Sequence, residues 1–99
     1  MKKIDLKIST PSPKNESLIG LIKSLICKNF GSNQDINSIE VVLSEEDDVR
    51  IPYRTTIDLV LGSSKASLQT ESSSAHYLSS FTQALSRMER QLGRSQERA

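Results

Sequence analysis

The chain has 99 residues, 35% hydrophobic and 25% charged, with a formal net charge of +1. That length suits one domain, and the composition is polar for a globular chain without being that of a disordered one. No apolar run approaches the roughly 20 residues needed to span a bilayer. Met1-Lys2-Lys3 is followed by Ile4-Asp5-Leu6-Lys7, which is interrupted by charge where a secretory leader needs an unbroken apolar stretch. One cysteine, Cys27, cannot form an internal disulfide, which suits a reducing cytoplasm.

The near-neutral total hides segregation. Residues 1–28 hold six lysines against Asp5 and Glu16, a net of +4. Residues 35–58 hold seven acids against Arg50 and Arg54, a net of −5. Residues 65–98 hold Lys65 and four arginines against Glu71, Glu89 and Glu97, a net of +2. A fold that brings the two ends of the chain together would show one basic surface.

In chain order, Ile4, Leu6 and Ile8 alternate with charged and polar residues, which predicts a strand with one buried face. "STPSP" at 9–13 breaks it, and Ser12-Pro13 is a reasonable helix entry. Leu18, Leu21, Ile22, Leu25 and Ile26 repeat at three and four residues, an amphipathic helix that Gly31 is placed to stop. Ile39, Val41 and Leu43 predict a second strand, and "SEEDD" at 44–48 a charged turn. Ile57, Leu59 and Leu61 predict a third strand entered near Pro52. After the tight connection at 62–64, Ala66, Leu68 and Thr70 return as a fourth, and one of Ser72, Ser73 and Ser74 is expected to cap a long helix.

That helix has two faces. Tyr77, Leu78, Phe81, Ala84, Leu85, Met88 and Leu92 fall within an arc of about 120°, while Arg87, Arg90, Arg94 and Arg98 fall in a separate arc of about 80°. The order β-α-β-β-β-α predicts an α+β fold over residues 1–99. Its four-stranded, mostly antiparallel sheet would carry both helices on one face, as in double-stranded-RNA-binding-like domains. The expected sheet core is Ile4, Leu6, Ile8, Ile39, Val41, Leu43, Ile57, Leu59, Leu61, Ala66 and Leu68. Lys14, Lys23 and Lys28 should then share a side with the four arginines, and residues from about Ser95 onward should fray.

The end of the chain, "SSSAHYLSSFTQALSRMERQLGR", resembles the bacterial ribosome hibernation factors, the hibernation promoting factor and ribosome-associated protein Y family. Tyr77, Arg87, Met88, Arg90, Gln91, Leu92 and Arg94 occupy the places of that family's early tyrosine and later basic, apolar and Gln-Leu positions. The preceding "KASLQTESSSAHY" is similar to its fourth strand and cap, and the element order agrees along some ninety residues. The resemblance implies a cytoplasmic, non-enzymatic protein that binds rRNA of the small ribosomal subunit where mRNA and tRNA must sit. It also implies silencing of translation in stationary phase or stress. A short form without the additional dimerisation domain is expected, monomeric off the ribosome and able to favour paired ribosomes on it. The rRNA-facing residues it implies are Arg87, Arg90 and Arg94, then Lys23, Lys28 and Arg98. "SEEDD" departs from the family by placing four carboxylates in one turn, which should face away from rRNA or toward a basic protein.

Each feature also has a plainer reading. By spacing alone the arginine stripe is an ordinary solvated helix face, with cations favoured near a helix C-terminus. Lys2, Lys3, Lys7 and Lys65 read as sheet-surface charges that discourage aggregation. Glu45, Glu46, Asp47 and Asp48 are adjacent rather than spaced as calcium ligands are. His76 has no Cys or His partner at metal-site spacing, and Cys27 reads as a packing residue. Tyr77 reads as a core-edge residue whose hydroxyl reaches a polar neighbour. No nucleophile elbow or phosphate loop is present, so neither catalysis, a cofactor, a metal nor a small-molecule substrate is expected. Two alternatives remain at this point: a protein-interaction module that does not bind the ribosome, and a general double-stranded RNA binder.

Overall fold

The computed structural model describes residues 4–11, 16–31, 33, 35–62 and 66–97, with the backbone alone for 95–97. The elements are β1 (Asp5–Ser9), α1 (Glu16–Phe30), β2 (Ile36–Glu45), β3 (Tyr53–Leu61), β4 (Ser67–Ser74) and α2 (Tyr77–Glu97). Their order is the expected β-α-β-β-β-α of an α+β fold. The sheet runs β1-β2-β3-β4, with β1 parallel to β2 and the other pairs antiparallel.

Register carries one face of the sheet into the core. Leu6 lies beside Ile39, Ile39 beside Leu59, and Leu59 beside Leu68. The next inward rung is Ile8, Val41, Ile57 and Thr70. Onto this face α1 brings Ile22, Ile26 and Phe30, and α2 brings Phe81, Ala84, Leu85, Met88 and Leu92, in one cluster. Alternate strand residues such as Lys7, Glu40, Asp58 and Arg54 face the other way, onto an uncovered surface. The central strands supply the fully buried rungs. Ile4, Leu6, Ile8, Ala66 and Leu68 are only partly buried, because β1 and β4 are the outer strands.

Several sequence expectations are corrected here. Ser72, Ser73 and Ser74 do not cap α2; they extend β4, where they pair with Thr55, Arg54 and Tyr53. The first helical bond instead runs from the Ser80 amide to the His76 carbonyl, 3.0 Å. The α1 stripe is centred on Ile22, Ile26 and Phe30, and Leu21 is 42% exposed. Leu78, placed on the α2 core stripe, is 41% exposed. Cys27 is exposed rather than packed. The proposed α1 entry at Ser12-Pro13 lies outside the described residues, as do Lys2, Lys3, Lys14, Lys65 and Arg98.

A polar seam joins α2 to the sheet. The Ser80 hydroxyl donates to the Tyr77 carbonyl at 2.9 Å, so its proton is used and Thr55 must donate to Ser80 Oγ, 2.8 Å away. Thr70 donates to the Ala84 carbonyl at 2.9 Å, and Ser72 to Gln83 Oε1 at 2.5 Å. These short side chains let the helix lie close while leaving no buried side-chain polar atom unpaired among the described residues.

Gly31 ends α1 for a steric reason. Its amide donates to the Cys27 carbonyl at 2.9 Å, and a Cβ there would sit 2.4 Å from that same backbone oxygen. Gly31→Ala is therefore expected to cost about 1–3 kcal/mol, the usual range for forced overpacking. A denaturant midpoint equal to that of the parent chain would contradict this account.

Candidate nucleic-acid interface

Topology sets the direction of both helices. β1 ends at the same end of the sheet as β2, so α1 must cross back to reach the start of β2 at Ile36. α2 leaves that same end after Ser74 and runs back along β4: Gln83 meets Ser72, Arg87 meets Glu71 and Gln91 meets Gln69. The helices are thus co-directional. The basic residues of their last turns, Lys28 and Arg94, lie toward one end of the sheet, and the Glu46–Pro52 loop lies at the other. Cations at helix C-termini are favoured by the aligned peptide dipoles as well as being free to meet an anion.

On α2, Arg87, Arg90 and Arg94 share one exposed side. Arg87 is already in use: its Nη1 donates to the Glu71 backbone carbonyl at 2.6 Å. Gln91, one turn on, reaches the Gln69 carbonyl at 3.4 Å. Carbonyls two residues apart on an outer strand both point away from the sheet, so this row of α2 covers the outer edge of β4. Arg90 and Arg94 have no hydrogen-bond or ion-pair partner among the described residues. Beside them, Thr82, Gln83, Ser86, Arg87 and Arg90 line an open groove of about 360 Å3. The hydroxyls of that groove were missed in the sequence. Their signal is the i, i+4, i+8 row Thr82, Ser86, Arg90 beside the row Gln83, Arg87, Gln91.

Lys23 and Lys28 are exposed on α1 but are not brought together. Five residues apart at 100° each, they differ in direction by about 140°. The bond from Arg87 to the Glu71 carbonyl places the α2 arginines over the β4 side of the sheet. The row most suited to phosphate is Arg90 and Arg94, two planar guanidinium forks, of which Arg90 also lines the open groove.

The opposite surfaces are acidic and partly matched by cations. On the uncovered sheet face Lys7 Nζ lies 3.7 Å from Glu40 Oε2. Arg54 bridges Glu46, at 2.7 Å, and Glu71, and these two carboxylates hold its charge even more firmly than usual. At the loop end the Tyr53 and Tyr77 rings are 4.4 Å apart, and the Tyr77 hydroxyl is 3.4 Å from Glu45 Oε1. Burial first, then the charge of Glu45, pushes Tyr77 up from 10 to about 12. The folded value lies above the unfolded one, so this contribution to stability is complete below pH 10 and is lost as pH rises through about 12. Alkaline absorbance titration should show a late tyrosinate component that Tyr77→Phe removes; its persistence in that variant would refute the assignment.

No protein-family model matches the sequence, and no curated relative does. Solved structures do match in fold. A ribosomal subunit interface protein from Coxiella burnetii superposes with a TM-score of 0.81 at 9% identity, covering 95% of this chain and 99% of that one. The N-terminal domain of Protein Y from Thermus thermophilus superposes with a TM-score of 0.70 at 19% identity, covering 93% of this chain and 97% of that one. The chain therefore has the fold of the Protein Y N-terminal domain across nearly its whole length, in keeping with the resemblance carried by its final helix.

Among the described residues, no helix is long and apolar enough to cross a membrane, and no group of His, Cys, Asp or Glu could hold a metal ion.

Proposed function

We propose that this chain is a cytoplasmic, ribosome-associated translation silencer that acts by occupancy, without chemistry. Arg90 and Arg94 would bind phosphates of small-subunit rRNA. Arg87 would contribute while holding the β4 edge, and Lys23, Lys28 and Arg98 would add outlying contacts. A rigid wedge held there blocks the positions that mRNA and tRNA need in stationary phase or stress. Thr82, Gln83 and Ser86 suit RNA because they can bond ribose hydroxyls as well as phosphate oxygens.

The observation that carries this reading is the Arg90–Arg94 pair, without partners among the described residues, on a chain similar in fold to a ribosomal subunit interface protein. Co-sedimentation with purified small subunits over a range of salt tests it. Binding should be present at low salt and fall linearly on a log–log plot as salt rises. Sucrose gradients of stationary cells, with and without the protein, distinguish blocked single ribosomes from paired ones. The second reading, an interaction module that does not bind the ribosome, predicts no sedimentation even at low salt.

A further inference from the structure

The loop end of the molecule carries a surface for which contact with RNA has no use. Val49 is 95% exposed, Ile51 44% and Leu78 41%. Val49 and Ile51 lie in the loop from β2 to β3, and Leu78 lies in the first turn of α2, next to the Tyr53–Tyr77 ring pair. Single exposed apolar residues are ordinary, but three large ones at one end of a small domain are not.

The loop that presents them is held by its own bonds. Asp48 Oδ1 accepts from the amides of Arg50 at 2.9 Å and Ile51 at 3.4 Å, and the Glu46 amide donates to the Pro52 carbonyl at 2.7 Å. Around the apolar residues Glu45, Glu46 and Asp47 are exposed. Arg50 is offset by Asp48, 3.9 Å away, and Arg54 is taken by Glu46 and Glu71. Glu45 and Asp47 have no cationic partner among the described residues. An apolar centre with a charged rim is the make-up of a protein interface, and this rim repels phosphate.

We propose that this end docks a lysine- and arginine-rich protein segment carrying a bulky apolar anchor. The anchor would sit against Val49, Ile51 and Leu78, and its flanking cations would meet Glu45 and Asp47. The uncovered sheet face also carries acids, Asp5 and Asp58 among them, but among the described residues it exposes no large apolar side chain to receive the anchor. The loop end lies opposite Lys28 and Arg94, so a protein and an RNA can be held at the same time.

The test is an amide-resolved NMR titration of the full chain with a short synthetic peptide that flanks a central Leu-Phe-Ile with lysines and arginines. Shifts should be confined to residues 45–53 and 77–81, and the affinity should fall at least about tenfold in Val49→Asp/Ile51→Asp, equivalent to about 1.4 kcal/mol. Leu78→Ser should weaken binding in the same direction, and a peptide with glutamates in place of its cations should not bind. Unchanged affinity in these variants, an absence of shifts, or shifts on the helices or outer sheet face would overturn the proposal. So would self-association of the chain alone that Val49→Asp/Ile51→Asp abolishes, which would assign the surface to a second copy. Thermal melts confirm that the variants fold. Loss of ribosome sedimentation in the parent chain would defeat the RNA reading and leave the peptide result standing.

Discussion

Replacing Arg90 and Arg94 together with glutamate is expected to weaken co-sedimentation with small subunits by about a hundredfold or more. A charge-assisted hydrogen bond contributes about 1.5–3 kcal/mol, so two lost contacts amount to about 3–6 kcal/mol, with tenfold in affinity for each 1.4 kcal/mol. The introduced carboxylates add repulsion. The log–log salt dependence should flatten by roughly two counter-ions, because each lost phosphate contact removes about one. Folding should be unaffected, since both side chains are exposed and partnerless among the described residues. Arg87→Glu is a less clean probe, because it also strips the Glu71 carbonyl of its donor at the edge of β4. Affinity and salt slope equal to those of the parent chain in the Arg90/Arg94 double variant would end the rRNA reading.

The elements were legible because hydrophobic period is a local signal. Ile39, Val41 and Leu43 can alternate only as a strand, and Phe81, Leu85, Met88 and Leu92 can share a face only on a helix. What escaped depends on contacts between elements. Thr70 reads as strand and Ser72 as a possible helix cap, but spacing does not show that both hydroxyls face inward, where α2 supplies acceptors at Ala84 and Gln83. A triple serine reads locally as a helix cap, and only pairing with β3 makes it strand. The arginine stripe was visible at 100° per residue, but not that Arg87 would be spent on a backbone carbonyl while Arg90 stays open. Nor does spacing reveal that the helices are co-directional. That follows from the parallel β1–β2 pair, and it separates the acidic loop from Lys28 and Arg94, which the sequence could leave only as alternatives for that loop's orientation.

Leu78 and Phe81 separate the two kinds of information at neighbouring positions. Both belong to one apolar arc of α2 in the sequence, so period alone predicts similar costs for removing either. Phe81 is fully buried in the shared core, whereas Leu78 is 41% exposed at the loop end. Phe81→Ala should cost about 3–5 kcal/mol, combining lost transfer energy with a cavity that a packed interior cannot fill. For a domain whose whole stability is about 5–15 kcal/mol, that is a large fraction. The melting temperature should drop by roughly 15 °C or more. Leu78→Ala should stay within about 1 kcal/mol, since little apolar area returns to water. Denaturant melts of the two variants side by side decide the matter. Equal losses would mean that the first turn of α2 packs as the arc suggests, and would remove Leu78 from the exposed surface at the loop end. A large gap would show that Leu78 adds little to the anchoring of α2, which Tyr77, Ser80 and Phe81 hold, and that its side chain is left to meet a partner.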